Sequence, residues 1–555
     1  MKLMKIKIQN KEMQIKSNTS ILDTVKEHYL QDKNDILAAF VDNKAVSLNY
    51  LLHENDRSLD FIKISHPIGS LIYKKSLCFL LHRAVFELFR NSRIVQGSSL
   101  GNSYYYDFYS DIPVNEQILK EMALKIKEYI QNKEPFEHFT LTKEEAYEYF
   151  KKRGFINKMK LVDQLETPFV SIYSSSHYKD IDYGPLIPHA GYIKDFWLKK
   201  YSQGFLLVFS PEQDKETHLI QLGKRENIFK AFTESKNWGQ IVEINNIRRL
   251  NEIIINGKIQ EMVNICEGLH EKKIAQIADQ IYVSHKKKSS RLILIAGPSS
   301  SGKTTFTRRL AVHLKINGLN PEFISLDNYY IDREKTPKDD FGNYDFENIL
   351  AIDLELLNSH LNELLHGNEI AMPIYNFETG KRKEKTIPLR IDEYQPIILE
   401  GIHALNPMLT EKIDETLKFK IYVSALTPLA IDDFNRISSS DNRLLRRLVR
   451  DYKFRGYTAE QTIRQWISVR EGEEKYVFPY QERADIFFNS AHHFELPVLK
   501  NEAELLLTEI PMNQIEFRTA NHLLNLLSLF KNIDHKFIPQ NSILQEFLGN
   551  SCFKY

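Results

Sequence analysis

The sequence predicts a multidomain chain of α/β and α+β parts whose C-terminal portion is built on a parallel sheet. Its 555 residues are too many for one core. The run Leu292 to Ile295 is short and wholly apolar, as a strand covered on both faces must be. It breaks at Gly297 into a loop, and helical spacing follows from Phe306 to Ile316. Two more apolar runs, Glu322-Phe-Ile-Ser-Leu-Asp327 and Pro396-Ile-Ile-Leu-Glu400, each end in a carboxylate. In open α/β sheets, ligands collect at such carboxyl ends.

The loop Gly297-Pro298-Ser299-Ser300-Ser301-Gly302-Lys303-Thr304-Thr305 fits GxxxxGK(S/T) in the strand-loop-helix context the motif requires. Its two glycines let backbone N–H groups face phosphate oxygens, and the helix start adds positive dipole. Lys303 reaches toward the β and γ phosphates of a bound triphosphate, and Thr304 offers its hydroxyl to Mg²⁺. A serine-rich surface turn is the other reading of these letters, and it has no need of the flanking strand and helix. Asp327 and Glu400, with Thr304, form the expected Mg²⁺ set, directly or through waters; each acid alone reads equally well as a cap or loop residue.

Bulk properties narrow the rest. A composition 42% hydrophobic and 26% charged is that of a globular protein, and no apolar run approaches the roughly 18 to 20 residues of a membrane span. Met1-Lys-Leu-Met-Lys-Ile-Lys lacks the pattern of a signal peptide, so a cytoplasmic location without membrane contact is expected. The cysteines, Cys78, Cys266 and Cys552, stand far apart, which excludes a disulfide framework or a Cys-rich zinc site. Seventy-four basic against 73 acidic residues argue against a chain built wholly for nucleic acid.

Residues 1–64 alternate like a small sheet, at Leu3 to Ile8, Met13 to Ile15, Leu37 to Val41 and Leu59 to Ile64, with a helix from Ile21 to Tyr29. They resemble the β-grasp TGS domain of threonyl-tRNA synthetases. Residues 65–225 resemble the α+β editing domain that follows it there, through Lys75-Ser-Leu-Cys-Phe79-Leu-Leu-His-Arg-Ala-Val-Phe-Glu-Leu-Phe89, Gly101-Asn-Ser-Tyr-Tyr-Tyr-Asp-Phe108, Lys143-Glu-Glu-Ala-Tyr-Glu-Tyr-Phe150 and Asp182-Tyr-Gly184-Pro185-Leu186. The family's histidine, histidine, cysteine and histidine fall on Lys75, Phe79, Asp182 and Leu186, which implies that the editing chemistry is lost. His82 and His189 are expected to be ordinary satisfied histidines. Residues 226–288 read as a helical bridge, with Lys286-Lys-Lys-Ser-Ser290 as a hydrophilic boundary.

From Asn435 to Gly456, Arg436, Arg443, Arg446, Arg447, Arg450 and Arg455 accompany only two aspartates, Asp441 and Asp451. On a helix Arg443, Arg447 and Arg450 share one face, which repels itself without anions. Such a face either closes over triphosphate or is an exposed basic helix that binds RNA.

Residues 289–510 resemble the uridine kinase branch of the uridine kinase and phosphoribulokinase superfamily. Ser325-Leu-Asp327-Asn-Tyr-Tyr330 is similar to QDSFY, Asn343-Tyr-Asp345-Phe-Glu347 to NFDHP, and Pro373-Ile-Tyr375-Asn-Phe377 with Arg382 to PxYDF…R. Glu400-Gly-Ile-His403 is similar to EGIL, and Arg447-Leu-Val-Arg450-Asp451-Tyr-Lys-Phe-Arg455-Gly456 to the RRxxRDxxERG lid. The resemblance implies Asp327 as general base for a sugar 5′-hydroxyl, Lys303, Arg450 and Arg455 as catalytic cations, and Arg447 on ATP. It implies Asp345, Tyr375, Phe377, Arg382 and Gln465 around the nucleoside. The family histidine that contacts the pyrimidine falls on Gly380 and the second arginine of RGR on Tyr457, so the base preference stays open. The function implied is ATP-dependent, Mg²⁺-dependent nucleoside phosphorylation. Phosphorylation of another small alcohol, as in phosphoribulokinase, and RNA or tRNA binding by the N-terminal half with the phosphate loop as a nucleotide switch are the alternatives. Residues 511–555 read as a helical extension from Ile515 to Phe530 with an uninformative tail.

Overall fold

A computed structural model describes residues 3–9, 11–28, 35–209, 226–288, 290–338, 342, 344–376 and 378–554. The chain opens with a five-stranded mixed sheet. Its strands lie in the order Lys11–Lys16, Leu3–Ile8, Ser58–Lys63, Ile36–Val41, Lys44–Ser47, and Leu3–Ile8 runs parallel to Ser58–Lys63. Ile36–Val41 is buried throughout because its faces serve two cores. Ile36, Ala39 and Val41 pack with Ile21 and Val25 of the helix Ile21–His28, whereas Leu37 and Phe40 pack toward the helix Pro67–Leu88. Tyr29, the expected end of the first helix, lies outside the described residues.

Pro67–Leu88 is buried along most of its length. Beside it stand a four-stranded antiparallel sheet, Phe196–Tyr201, Gly204–Phe209, Ser103–Tyr109, Arg93–Ser99, and a three-stranded one, Tyr178–Ile181, Phe169–Ser175, Glu137–Thr142.

The C-terminal portion carries the expected parallel sheet. Its order is Glu322–Ser325, Ile397–Glu400, Leu292–Ala296, Lys418–Ser424, Ile486–Asn489, all parallel. The absence of alternation in Leu292–Ala296 follows from its two covered faces. Leu292, Leu294 and Ala296 meet Leu357, Leu361 and Leu364 of the helix Leu354–Leu365, while Ile293 and Ile295 meet Phe306, Leu310 and Leu314 of the helix Lys303–Ile316. Residues 226–288, expected as a helical bridge, also pack on the sheet. Ile274, Ile277 and Ile281 of Ile259–Lys288 join the second of these cores, so this helix helps to cover the sheet. A third, largely helical core holds Leu444, Leu448, Trp466, Leu499, Leu523 and Leu544.

The two halves meet at the segment leading into the helix Ser439–Arg455. Lys158 pairs with Asp180 and, at 3.2 Å, with Asp432, all three buried. Phe434 stacks on His82 at 4.3 Å, and Arg436 lies 5.6 Å from the Tyr104 ring centre. The Asn157 amide donates to Asp433 at 2.9 Å, and the Gln96 N–H donates to the Asp433 carbonyl at 2.8 Å. Contrary to the expectation of a satisfied ring, buried His82 has no hydrogen-bond partner at Nε2 among the described residues; stacking holds it instead. His189 is likewise unsatisfied, at Nδ1. Among the described residues no helix is long and apolar enough to cross a membrane.

Candidate active site

Gly297 to Thr305 link the central strand to its helix. Ser300 (φ 57°) and Gly302 (φ 77°) take left-handed backbone conformations that turn the chain back on itself, and Gly302 is the helix N-cap. The Lys303 ammonium donates to the Pro298 carbonyl at 3.1 Å, folded against the loop it serves. The Thr304 hydroxyl lies 3.4 Å from both Glu400 oxygens, because parallel register places Glu400 beside Ile295 at the end of the neighbouring strand.

Asp327 sits past the end of the edge strand in a short 3-10 turn, Leu326–Tyr329, instead of on the strand itself. Its side chain is open to solvent at the mouth of the cleft but walled by protein. That surrounding raises its carboxyl pKa, while Lys303 and Arg455 pull it back. Burial also pushes Glu400 up to about 7, with Asp327 and Glu546 adding to the rise and Lys303 opposing it. Glu347 reaches about 7 through burial and Glu473, against Arg447 and Lys303. Acids therefore crowd the end of the loop and hold one another's protons. Thr304, Asp327 and Glu400 offer a hard oxygen set, the donor chemistry Mg²⁺ takes, and a cation there relieves that crowding.

The arginine helix differs from its sequence reading. Arg443 forms a two-armed pair with Glu473, and Arg446 pairs with Glu495 at 2.5 Å. Both also donate to loop carbonyls, of Ser299 at 3.1 Å and Ser300 at 3.2 Å. Their charge is met internally, so they hold the loop in place. Arg436 leaves the group altogether for Tyr104. Arg443, Arg446 and Arg447 are buried, which removes the exposed RNA-binding helix. Arg447, Arg450 and Arg455 share one fully buried carboxylate, Asp451, at 3.1, 2.7 and 3.6 Å. Three guanidiniums on one acid leave positive charge facing the loop, and Arg447 donates to the Ser299 hydroxyl at 2.9 Å.

Elsewhere in this domain the Tyr330 and Tyr375 ring centres lie 5.6 Å apart beside Asp345, which accepts from the Tyr476 hydroxyl at 3.3 Å. Arg382 has all three of its nitrogens engaged, with the Tyr330 carbonyl (3.0 Å), the Tyr329 carbonyl (2.9 Å) and Asp353 (3.0 Å). It fixes the turn that carries Asp327. Gln465 accepts from Arg447 at 3.4 Å, which places it with the phosphate loop and not with Tyr375. Phe377 lies outside the described residues. Gly380 has φ 68°, and a Cβ there would collide with the Arg333 side chain, so the missing histidine has no room.

Sequence reasoning missed Glu473, Glu495 and Glu546, which set the charge around the loop from distant parts of the chain, and it named Asp451 and Glu347 without giving them this role. No local spacing marks the first three. It also gave no hint of Glu267, His270 and His492, a buried trio inside the helical layer. The two rings stack at 3.9 Å and 22°, so their in-plane nitrogens cannot converge on one ion, and Arg309 holds Glu267 at 3.1 Å. Glu267 lies 3.0 Å from the His492 ring instead.

The profile of the phosphoribulokinase / uridine kinase family matches residues 292–496, and a uridine kinase from Bacillus velezensis is 30% identical over 225 residues, 40% of this chain and 97% of that protein. The chain belongs to that family. A uridine kinase from Bacillus licheniformis is 34% identical over 196 residues, 35% of this chain and 83% of its own length. A threonine–tRNA ligase from Desulforamulus reducens is 30% identical over 181 residues, 32% of this chain and 28% of that protein. The kinase domain thus carries a phosphotransferase fold whose family takes its phosphate from ATP. At the N-terminal positions singled out above, the Lys75 ammonium donates to the Gly184 carbonyl at 2.9 Å and burial lowers its pKa to about 8. Asp182 pairs with His138 at 3.0 Å, and Phe79 and Leu186 are core residues.

Proposed function

We propose that this protein transfers the γ-phosphate of ATP to the 5′-hydroxyl of a nucleoside. The reading is carried by the convergence of Lys303, Thr304, Asp327 and Glu400 at adjoining strand ends under the arginines held by Asp451. Asp327, its affinity for a proton raised by the protein that walls it, accepts the proton as the hydroxyl attacks. Lys303 and the loop N–H groups hold the β and γ phosphates, and Arg447, Arg450 and Arg455 meet charge on the moving phosphoryl group and exclude water. Thr304, Asp327 and Glu400 would hold Mg²⁺, which would supply charge neutralisation to the phosphates. Asp345 binds sugar hydroxyls and Tyr375 the ring, while Arg382 acts by positioning the Asp327 turn.

The N-terminal half, divided at residues 64 and 225, is a TGS-like and an editing-like unit whose hydrolytic donors have been replaced. The stretch shared with a threonine–tRNA ligase and the side chains at Lys75, Phe79, Asp182 and Leu186 support this.

A nucleoside panel with γ-labelled ATP tests the proposal. The expected result is nucleoside- and Mg²⁺-dependent label transfer that falls about 10²- to 10⁴-fold in Asp327→Ala, with ATP binding retained. ATP hydrolysis that ignores the nucleoside and yields no phosphorylated product overturns it.

A further inference from the structure

Residues 539–548, beyond the part that matches the family, pack against the phosphate loop. Ile543 and Phe547, both fully buried, join the core of the loop's helix with Phe306 and Leu310. A Cβ at Gly302 would collide with Ile543, and the Arg446 guanidinium lies 5.0 Å from the Phe547 ring centre. Lys453 secures the segment by donating to the Leu548 carbonyl at 2.9 Å. So seated, Glu546 turns a half-buried carboxylate onto the start of the helix Lys303–Ile316. The Thr305 N–H donates to it at 3.1 Å and the Thr305 hydroxyl at 2.8 Å.

Thr305 is the third residue of that helix, and its N–H is one of the donors an α-helix leaves without an internal partner. An anion there gains from the aligned peptide dipoles, which is also why phosphates bind at such helix starts. The carboxylate oxygen makes the two hydrogen bonds that a phosphate oxygen would make at this position.

We infer that Glu546 is an internal stand-in for one phosphate of the donor and sets how tightly the loop takes a triphosphate. The inference rests on the reading of the loop as a nucleotide site. Donor and carboxylate cannot both hold the Thr305 N–H and hydroxyl, and their charges repel. Binding therefore turns out this one side chain while Ile543 and Phe547 stay in the core.

Titration of the full-length chain with MgATP, and separately with inorganic tripolyphosphate and with adenosine, tests this. Glu546→Gln keeps the shape and removes the charge. It is expected to bind MgATP and tripolyphosphate about tenfold more tightly than wild type, and adenosine equally. In turnover the gain appears in KM for ATP more than in kcat. A purely structural cap would lower the melting temperature and leave these affinities alone. Unchanged or weaker triphosphate affinity in Glu546→Gln at an unchanged melting temperature overturns the inference. If that variant does not fold, Glu546→Asp, which draws the carboxylate back by one methylene, is measured with the same expectations. Equal binding by wild type and variant overturns only the role of Glu546; no binding by either overturns the nucleotide reading and this inference together.

Discussion

The charged side chains of the N-terminal half and those around the phosphate loop treat charge in opposite ways. In the N-terminal cluster charges find partners: Lys158 lies between Asp180 and Asp432, Asp182 pairs with His138, and Lys75 is tied to the Gly184 carbonyl. Aromatic rings fill the remaining space, with Phe79 edge-on to Phe136 and Tyr178 at 5.4 and 5.0 Å. In the cleft, Glu347 and Glu400 are both pushed up to about 7 while three arginines divide one aspartate. A cluster closed on itself stabilises a fold, whereas one that leaves charges of both signs incompletely paired is prepared to receive an ion or a polar ligand.

The contrast breaks most sharply at Lys158. Lys158→Met leaves Asp180 and Asp432 buried without their cation, which is expected to destabilise the chain by about 3–5 kcal/mol. Chemical denaturation at neutral pH measures it. The deficit shrinks as pH falls because the Asp180 carboxyl, raised by burial, takes up a proton. A loss below about 1 kcal/mol would mean that the N-terminal cluster is as open to charge as the cleft.

A smaller effect probes the cleft. The Glu400 pKa stands near 7 in the folded chain against its ordinary 4.5, so the folded state holds the extra proton between those values. The stability this contributes is complete below about pH 4.5 and is lost as pH rises to about 7, on the order of 1 kcal/mol after solvent screening. Melting temperatures across that range should fall less steeply in Glu400→Gln than in wild type. Equal slopes would remove Glu400 from the crowded set.

The smallest expectation is no change. Lys75→Met should leave label transfer to nucleoside within about twofold of wild type, since its ammonium bonds within its own half. A larger drop would show that the two regions communicate through that side chain.

What the sequence revealed follows the range of each interaction. The strand Leu292–Ala296, its loop and the carboxylate Glu400 were legible because their meaning lies in adjacent residues and in the rule that strand ends gather ligands. Asp327 was legible as a residue and misplaced as an element, since a 3-10 turn and not the strand carries it. The arginine helix was visible as charge but not as pairing. Arg443 finds Glu473 thirty residues away and Thr305 finds Glu546 across 241, separations at which spacing carries no signal. Arg382 shows the same limit from the other side, because a motif position announces a cation and says nothing of the two carbonyls that already hold it.

The junction at Asp432, Phe434 and Arg436 has a practical corollary for anyone who would cut this chain in two. A fragment beginning near residue 289 exposes the Phe434 ring to water and strips Asp432 of its lysine, immediately ahead of the helix that bears Arg447, Arg450 and Arg455. Excision therefore perturbs the start of that helix, and weak turnover by such a fragment would report a damaged junction, not an enzyme lacking competence.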